Sequence, residues 1–143
     1  FSPIRGRTEL LCDYVRDTVR DGKPFKGDPV IRQKVAQLVT ECEVARLLGV
    51  RFVDAALTAG KTPTIEASEY KLYATELSRR LADATMDIAG PGTQLALGTE
   101  DAPLKGRAES CYTYTVIDTI GGGSSEVQKN IIAKRKLDLP KNF

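Results

Sequence analysis

Apolar positions recur at steps of three and four along most of the chain, and turn signals separate the runs. From about Ile4 to Arg20, the residues Leu10, Leu11, Tyr14, Val15, Thr18 and Val19 repeat at helical spacing, and Asp21-Gly22-Lys23-Pro24 ends the segment. A connector through Gly27 leads to Asp28-Pro29. An aspartate cap followed by proline is a strong start signal, because the proline lacks an N–H that would be unpaired there anyway. The next run carries Ile31, Val35, Leu38, Cys42, Ala45, Leu48, Phe52 and Ala55 and predicts a long helix reaching Gly60. Thr62-Pro63-Thr64 opens a third, striped by Tyr70, Tyr73, Leu77, Leu81, Ala84 and Ile88, and Gly90-Pro91-Gly92 stops it. After a polar loop to about Pro103, the residues Leu104, Ala108, Cys111, Tyr112, Thr115 and Thr119 predict a fourth helix. Their Thr and Tyr content would also allow a strand, and the helical neighbours argue against it. A fifth helix is expected to start at Ser125 and to bury Val127, Ile131 and Ile132.

Four helices with one apolar face each, joined by short loops, have one economical arrangement. The pattern predicts an all-α fold: an antiparallel four-helix bundle with an additional C-terminal helix packed on its end. Sheet is expected to be absent. The aromatic and apolar stripes are read as core.

With 143 residues and 41% hydrophobic content, the chain is one domain's worth of material and can bury a core. Lys and Arg number 21 against 19 Asp and Glu, so no global field recruits nucleic acid or a membrane surface. Locally, Lys129, Lys134, Arg135, Lys136 and Lys141 face only Asp138, a bias that suits the negative end of a last helix. Cys12, Cys42 and Cys111 are widely spaced and odd in number, which argues against a disulfide framework or zinc motif, and Cys42 and Cys111 fall on apolar stripes as small core residues in a reducing cytoplasm. Histidine is absent from the sequence, so His-based triads, His metal sites and histidine acid–base work are excluded within it. No apolar run of about 18 residues suggests membrane insertion, and no metal site is expected.

The chemically suggestive stretch is Gly121-Gly122-Gly123-Ser124-Ser125-Glu126-Val127-Gln128. A flexible turn delivering hydroxyl residues to a helix start leaves backbone N–H groups and the positive dipole end facing outward, which suits a phosphate or pyrophosphate. Ser125 and Gln128 have the spacing of a capping box. The plainer reading is that the glycines end one helix while Ser125 caps the next.

From Gly122 to Pro140 the sequence resembles, without a gap, the C-terminal signature of the acyl-CoA dehydrogenase family. Three weaker matches keep the family's order: Asp28-Pro29-Val30-Ile31-Arg32, Glu66-Ala67-Ser68 with Lys71-Leu72, and Gly90-Pro91-Gly92. The resemblance implies that residues 1–143 are the C-terminal helical domain of a longer flavoprotein, with N-terminal helical and central β domains upstream. A start at Phe1 without methionine agrees with that expectation. It also implies FAD as cofactor, an acyl-CoA substrate undergoing α,β-dehydrogenation, and an electron-transfer flavoprotein as acceptor. The assembly implied is a homo- or hetero-oligomer of dehydrogenase subunits. Gly123, Ser124, Ser125 and Glu126 match the family's flavin-contacting turn, Gly90 and Gly92 match a glycine turn near the cofactor, and Lys134 matches a position near bound CoA.

Two departures stand out. Many members carry the catalytic Glu where this chain has Gly122, and glycine cannot remove a proton. One branch takes its base from the first helix of this domain, but that residue would precede Phe1, and Glu9 lies too close to the Leu10-Leu11 stripe. No catalytic residue is therefore expected within this chain. The second departure lies in Asp21 to Pro29, which contains Phe25 but not the Arg and Gln that contact FAD across a subunit boundary in many members. The resemblance thus leaves two readings. The chain is part of an acyl-CoA dehydrogenase whose base lies elsewhere, or of a catalytically silent structural subunit, or half-site, in a heteromeric one.

Overall fold

The computed structural model describes residues 2–60 and 63–140. Five α-helices dominate it: α1 (Ser2–Asp17), α2 (Pro29–Ala59), α3 (Thr64–Ala89), α4 (Arg107–Asp118) and α5 (Ser125–Lys136). They form the expected antiparallel bundle. Among the described residues no helix is long and apolar enough to cross a membrane.

Helix α1 buries Ile4, Thr8, Leu11 and Val15, a stripe stepping by four, three and four. It stops at Asp17, three residues short of the expected end, and Val19–Arg20 pair antiparallel with Lys23–Pro24. The sheet expected to be absent is therefore present as one two-residue ladder. The turn chemistry explains it: Asp21 and Gly22 both adopt positive φ, at 51° and 74°, the requirement of the tight hairpin turn that matches strand twist. Val19 is consequently 63% exposed and not core. A 3-10 turn at Phe25–Gly27 then tucks Phe25 edge-on to Tyr14, with ring centroids 6.2 Å apart.

The cap anticipated for α2 forms as read. One Asp28 carboxylate oxygen accepts from the N–H groups of Val30 and Ile31 at 2.8 and 3.1 Å, and Gly60 closes the helix in the left-handed region. The opening of α3 at Thr62 lies outside the described residues. Helix α3 is the axis of the molecule: it packs against α1, α2, α4 and α5, and no residue from Pro63 to Ser78 is exposed. Leu11, Leu77 and Leu81 are each 1% exposed and mark the centre of the core. A polar tie and an aromatic stack flank it: Arg80 grips Glu41 of α2 at 2.9 and 2.6 Å, and the Phe52 and Tyr70 rings stack with centroids 6.3 Å apart.

The fourth helix starts later than expected. Leu104 and Lys105 have φ of 56° and 55° in a 3-10 turn, and Gly106 caps α4 from the left-handed region. Tyr112 to Asp118 are helical, so the strand alternative for that run fails. Helix α5 also differs from its expected burial: Val127 is 48% exposed and Ile131 and Ile132 are only half-buried, while Ser125 and Gln128 are buried. The reason is that α5 meets α3 through polar groups, Ser125 with Glu76 and Lys136 with Glu69.

Candidate functional site

The glycine turn sits between α4 and α5, and α3 forms its floor. Gly121 N–H closes α4 onto the Ile117 carbonyl at 2.7 Å, after which Gly122 and Gly123 take φ of 69° and 99°. These angles reverse the chain so that α5 begins beside the middle of α3. The expected cap is displaced by one residue. Ser124 occupies the N-cap position, accepting from Val127 N at 3.4 Å, and Ser125 is the first helical residue. The Ser125–Gln128 capping box does not form, because both side chains are drawn elsewhere. Ser125 Oγ donates to Glu76 Oε1 at 2.6 Å, and Gln128 Nε2 donates to the carbonyls of Gly122 at 3.0 Å and Gly123 at 3.5 Å.

Lys71 completes the floor by donating from Nζ to the Gly123 carbonyl at 2.7 Å. Gly123 is favoured by its φ of 99°, and a Cβ there would lie 2.6 Å from Gln128 Nε2, so the glutamine amide would have to move off the glycine carbonyls. At Gly122 a Cβ would meet nothing within 4 Å, so a side chain at that position would project into open space. Ser125 N–H is taken by the Thr119 carbonyl at 3.2 Å. No acceptor among the described residues takes the N–H of Gly123 or Ser124. The exposed Glu126 carboxyl is held below its ordinary value of 4.5, first by its own backbone amide and then by the Ser124 hydroxyl. The turn therefore stabilises negative charge, as a helix N-terminus should.

The other predicted positions lie apart from this cluster. Gly90 ends α3, and Glu76 is 14 residues away along that helix, about 21 Å at 1.5 Å per residue. Its neighbourhood is internally satisfied. Thr93, 1% exposed, donates from Oγ1 to the Gly90 carbonyl at 2.6 Å, and Gly92 packs against Pro103. Arg20, which the sequence reading passed over, joins this turn to the hairpin. Its guanidinium lies 4.7 Å from the Phe25 ring centroid and donates to the Ala89 carbonyl at 2.7 Å. Lys134 is exposed on the last turn of α5, along a groove lined by Val127, Asn130, Ile131, Leu139 and Pro140. Glu9 is exposed and paired with Arg5 at 2.8 Å.

Glu76 is the site residue that sequence reasoning missed, while Lys71 was matched without a role and Gln128 was read as a capping partner of Ser125 and not as the donor to the glycine carbonyls. A glutamate among the polar positions of α3 carries no signal in the sequence that names Ser125 as its partner.

Comparison with known proteins agrees with this architecture. The family profile for the acyl-CoA dehydrogenase C-terminal domain matches residues 2–137. Acyl-CoA dehydrogenase FadE26 of Mycobacterium tuberculosis is 30% identical over 144 residues, covering 98% of this chain and 36% of that protein. The acryloyl-CoA reductase (NADH) of Anaerotignum propionicum is 31% identical over 129 residues, covering 90% of this chain and 30% of that protein. In the crystal structure of the ChsE4-ChsE5 complex from Mycobacterium tuberculosis, one chain superposes with a TM-score of 0.86 at 26% identity, covering 99% of this chain and 36% of the other. The chain thus spans about a third of the length of the relatives it matches. It belongs to the acyl-CoA dehydrogenase family, over that family's C-terminal helical domain.

Proposed function

We propose that this chain is the C-terminal domain of an FAD-dependent acyl-CoA dehydrogenase and that its Gly123–Glu126 turn forms part of the flavin site. The parent protein would carry the N-terminal helical and central β domains and act in α,β-dehydrogenation of an acyl-CoA, passing electrons to an electron-transfer flavoprotein. The observation that carries this reading is the turn itself, where free N–H groups of Gly123 and Ser124 stand at the positive end of α5. That donor set fits a pyrophosphate. When bound, the flavin supplies the hydride acceptor for the substrate's β-carbon. This chain's part is to bind and orient; removal of the α-proton falls to a carboxylate outside it, because position 122 is glycine. Lys134, exposed at the end of α5, would meet CoA phosphates.

A specific observation also supports the second reading, a catalytically silent subunit of a heteromeric dehydrogenase. Gly122 has φ of 69°, which a glutamate adopts only with strain. The turn therefore favours glycine over a glutamate base by about 1 kcal/mol. A neighbour of known structure is named as a complex of two chains, ChsE4 and ChsE5, which agrees with a paired assembly for either reading.

The test uses the full-length protein with its partner subunits. Stoichiometric FAD, bleached on mixing with an acyl-CoA, is the expected result for the enzyme. Replacing the carboxylate expected upstream of this chain by its amide should abolish bleaching, and adding Gly122→Glu should restore part of it. Absence of bleaching in the unmutated complex, with assembly lost when this chain is omitted, would favour the silent subunit.

A further inference from the structure

The glycine turn is held from beneath by a lysine whose hydrogen bond goes to the backbone and not to a carboxylate. Lys71 is half-buried on α3, and among the described residues it makes no ion pair, only the bond to the Gly123 carbonyl. Its positive charge lies beneath the start of α5, where it helps hold the nearby Glu126 carboxyl in its charged form without a direct ion pair. Glu76 accepts from the buried Ser125 hydroxyl, and Gln128 holds the Gly122 carbonyl. Peptide planarity turns these tethers into an orientation. In a trans peptide the C=O and the following N–H point in opposite directions. Drawing the Gly122 carbonyl onto Gln128 aims the Gly123 N–H away from it, and drawing the Gly123 carbonyl onto Lys71 aims the Ser124 N–H away from α3.

We propose that Lys71 and Glu76 are positioning residues for the flavin-contacting turn: Lys71 orients the outward N–H of Ser124 and adds a positive charge behind it, and Glu76 anchors the first residue of α5. The proposal rests on the reading of this turn as part of the flavin site. Lys71 thus serves as a hydrogen-bond donor to the backbone and as a charge toward the anion, and the two roles separate experimentally. The Glu76 contact is geometric alone, because its carboxylate opposes an anion electrostatically while its hydrogen bond fixes Ser125.

The experiment titrates FAD into flavin-stripped full-length protein with its partner subunits, following flavin fluorescence at low and high salt, with thermal melting of the stripped form in parallel. Lys71→Met should weaken FAD by about tenfold or more, the scale of a charge-assisted hydrogen bond. It should also flatten the salt dependence, because one screened charge is gone. Lys71→Gln, which keeps an N–H donor and serves if the methionine variant folds poorly, should flatten the salt dependence with a smaller loss. Lys71→Arg should recover most of both. Glu76→Leu should weaken FAD while steepening the salt dependence, because the hydrogen bond is lost and a repelling charge goes with it. Unchanged affinity and salt dependence in Lys71→Met and Lys71→Gln would overturn the proposal. Ser124→Pro separates that failure from failure of the flavin reading: the Ser124 φ of −62° suits proline, which removes the N–H outright. Loss of FAD binding in Ser124→Pro with none in the Lys71 variants sinks only the positioning role; FAD binding unaffected in Ser124→Pro sinks both.

Discussion

Gly123 and Gly122 are adjacent and both left-handed, yet the structure separates their roles. At Gly123 a methyl group would collide with Gln128 in addition to straining the backbone, whereas at Gly122 only the backbone term applies. Gly122→Ala is predicted to cost about 1 kcal/mol and Gly123→Ala about 2 kcal/mol or more. Urea denaturation of the two variants checks the order, and equal losses would mean that Gln128 swings aside without cost. Glu126 gives a prediction in pH. Its carboxyl is held below 4.5 in the folded chain, so its contribution to stability is present above that value and fades as pH falls through the lowered one. Ser124→Ala should move the Glu126 titration part of the way back toward 4.5, because its own amide, the larger cause, remains. A carboxyl-carbon NMR titration reads this directly.

Among the elements, the two capped helices differ in how strongly their starts are held. Asp28 accepts two bonds at 2.8 and 3.1 Å, while Ser124 accepts one at 3.4 Å, near the limit of a hydrogen bond. Asp28→Ala is therefore predicted to destabilise by about 1–2 kcal/mol and Ser124→Ala by about 0.5 kcal/mol, measured by the same unfolding experiment. The weakness of the second cap has a structural counterpart. Helix α5 is fastened to α3 mainly by side chains, through Glu76, Lys71 and the Lys136–Glu69 ion pair, and its capping bond adds little. Helix α3 bears the opposite load. Leu77, at 1% exposure on the central helix, is predicted to cost about 3–5 kcal/mol on truncation to Ala, because neighbours on several sides cannot all collapse into the gap.

For the whole molecule, the second helix is the informative surface. Its buried stripe is the one read from the sequence, but Leu47, Val50, Val53 and Leu57 lie on the other side at 56%, 54%, 54% and 81% exposure. An apolar face of that kind, continuous along the helix, marks a surface made for association. The isolated chain is predicted to self-associate, and Val50→Glu with Leu57→Lys to shift it toward monomer in sedimentation velocity. A monomer at high concentration without these changes would count against the idea. The isolated chain is further predicted to hold FAD only marginally, since one turn supplies too few contacts; a yellow complex surviving gel filtration would contradict this.

Periodicity and turn chemistry determined the helices and most of their limits, because both are local. The Asp28-Pro29 start, the Gly60 and Gly90 stops and the α2 and α3 stripes could be read from neighbours a few residues apart. The signature from Gly122 to Pro140 likewise placed the chain in its family. The local rules misled where two of them competed. Val19 and Arg20, read as a helix tail, pair in a hairpin across Asp21-Gly22, and Ser124 took the cap that spacing assigned to Ser125. The floor of the glycine turn was decided only in three dimensions. Lys71 and Gly123 are 52 residues apart, and Glu76 and Ser125 are 49 apart. Hydrogen bonding at that separation depends on how α3 and α5 pack, and a polar side chain carries no record in the sequence of which distant carbonyl or hydroxyl will meet it.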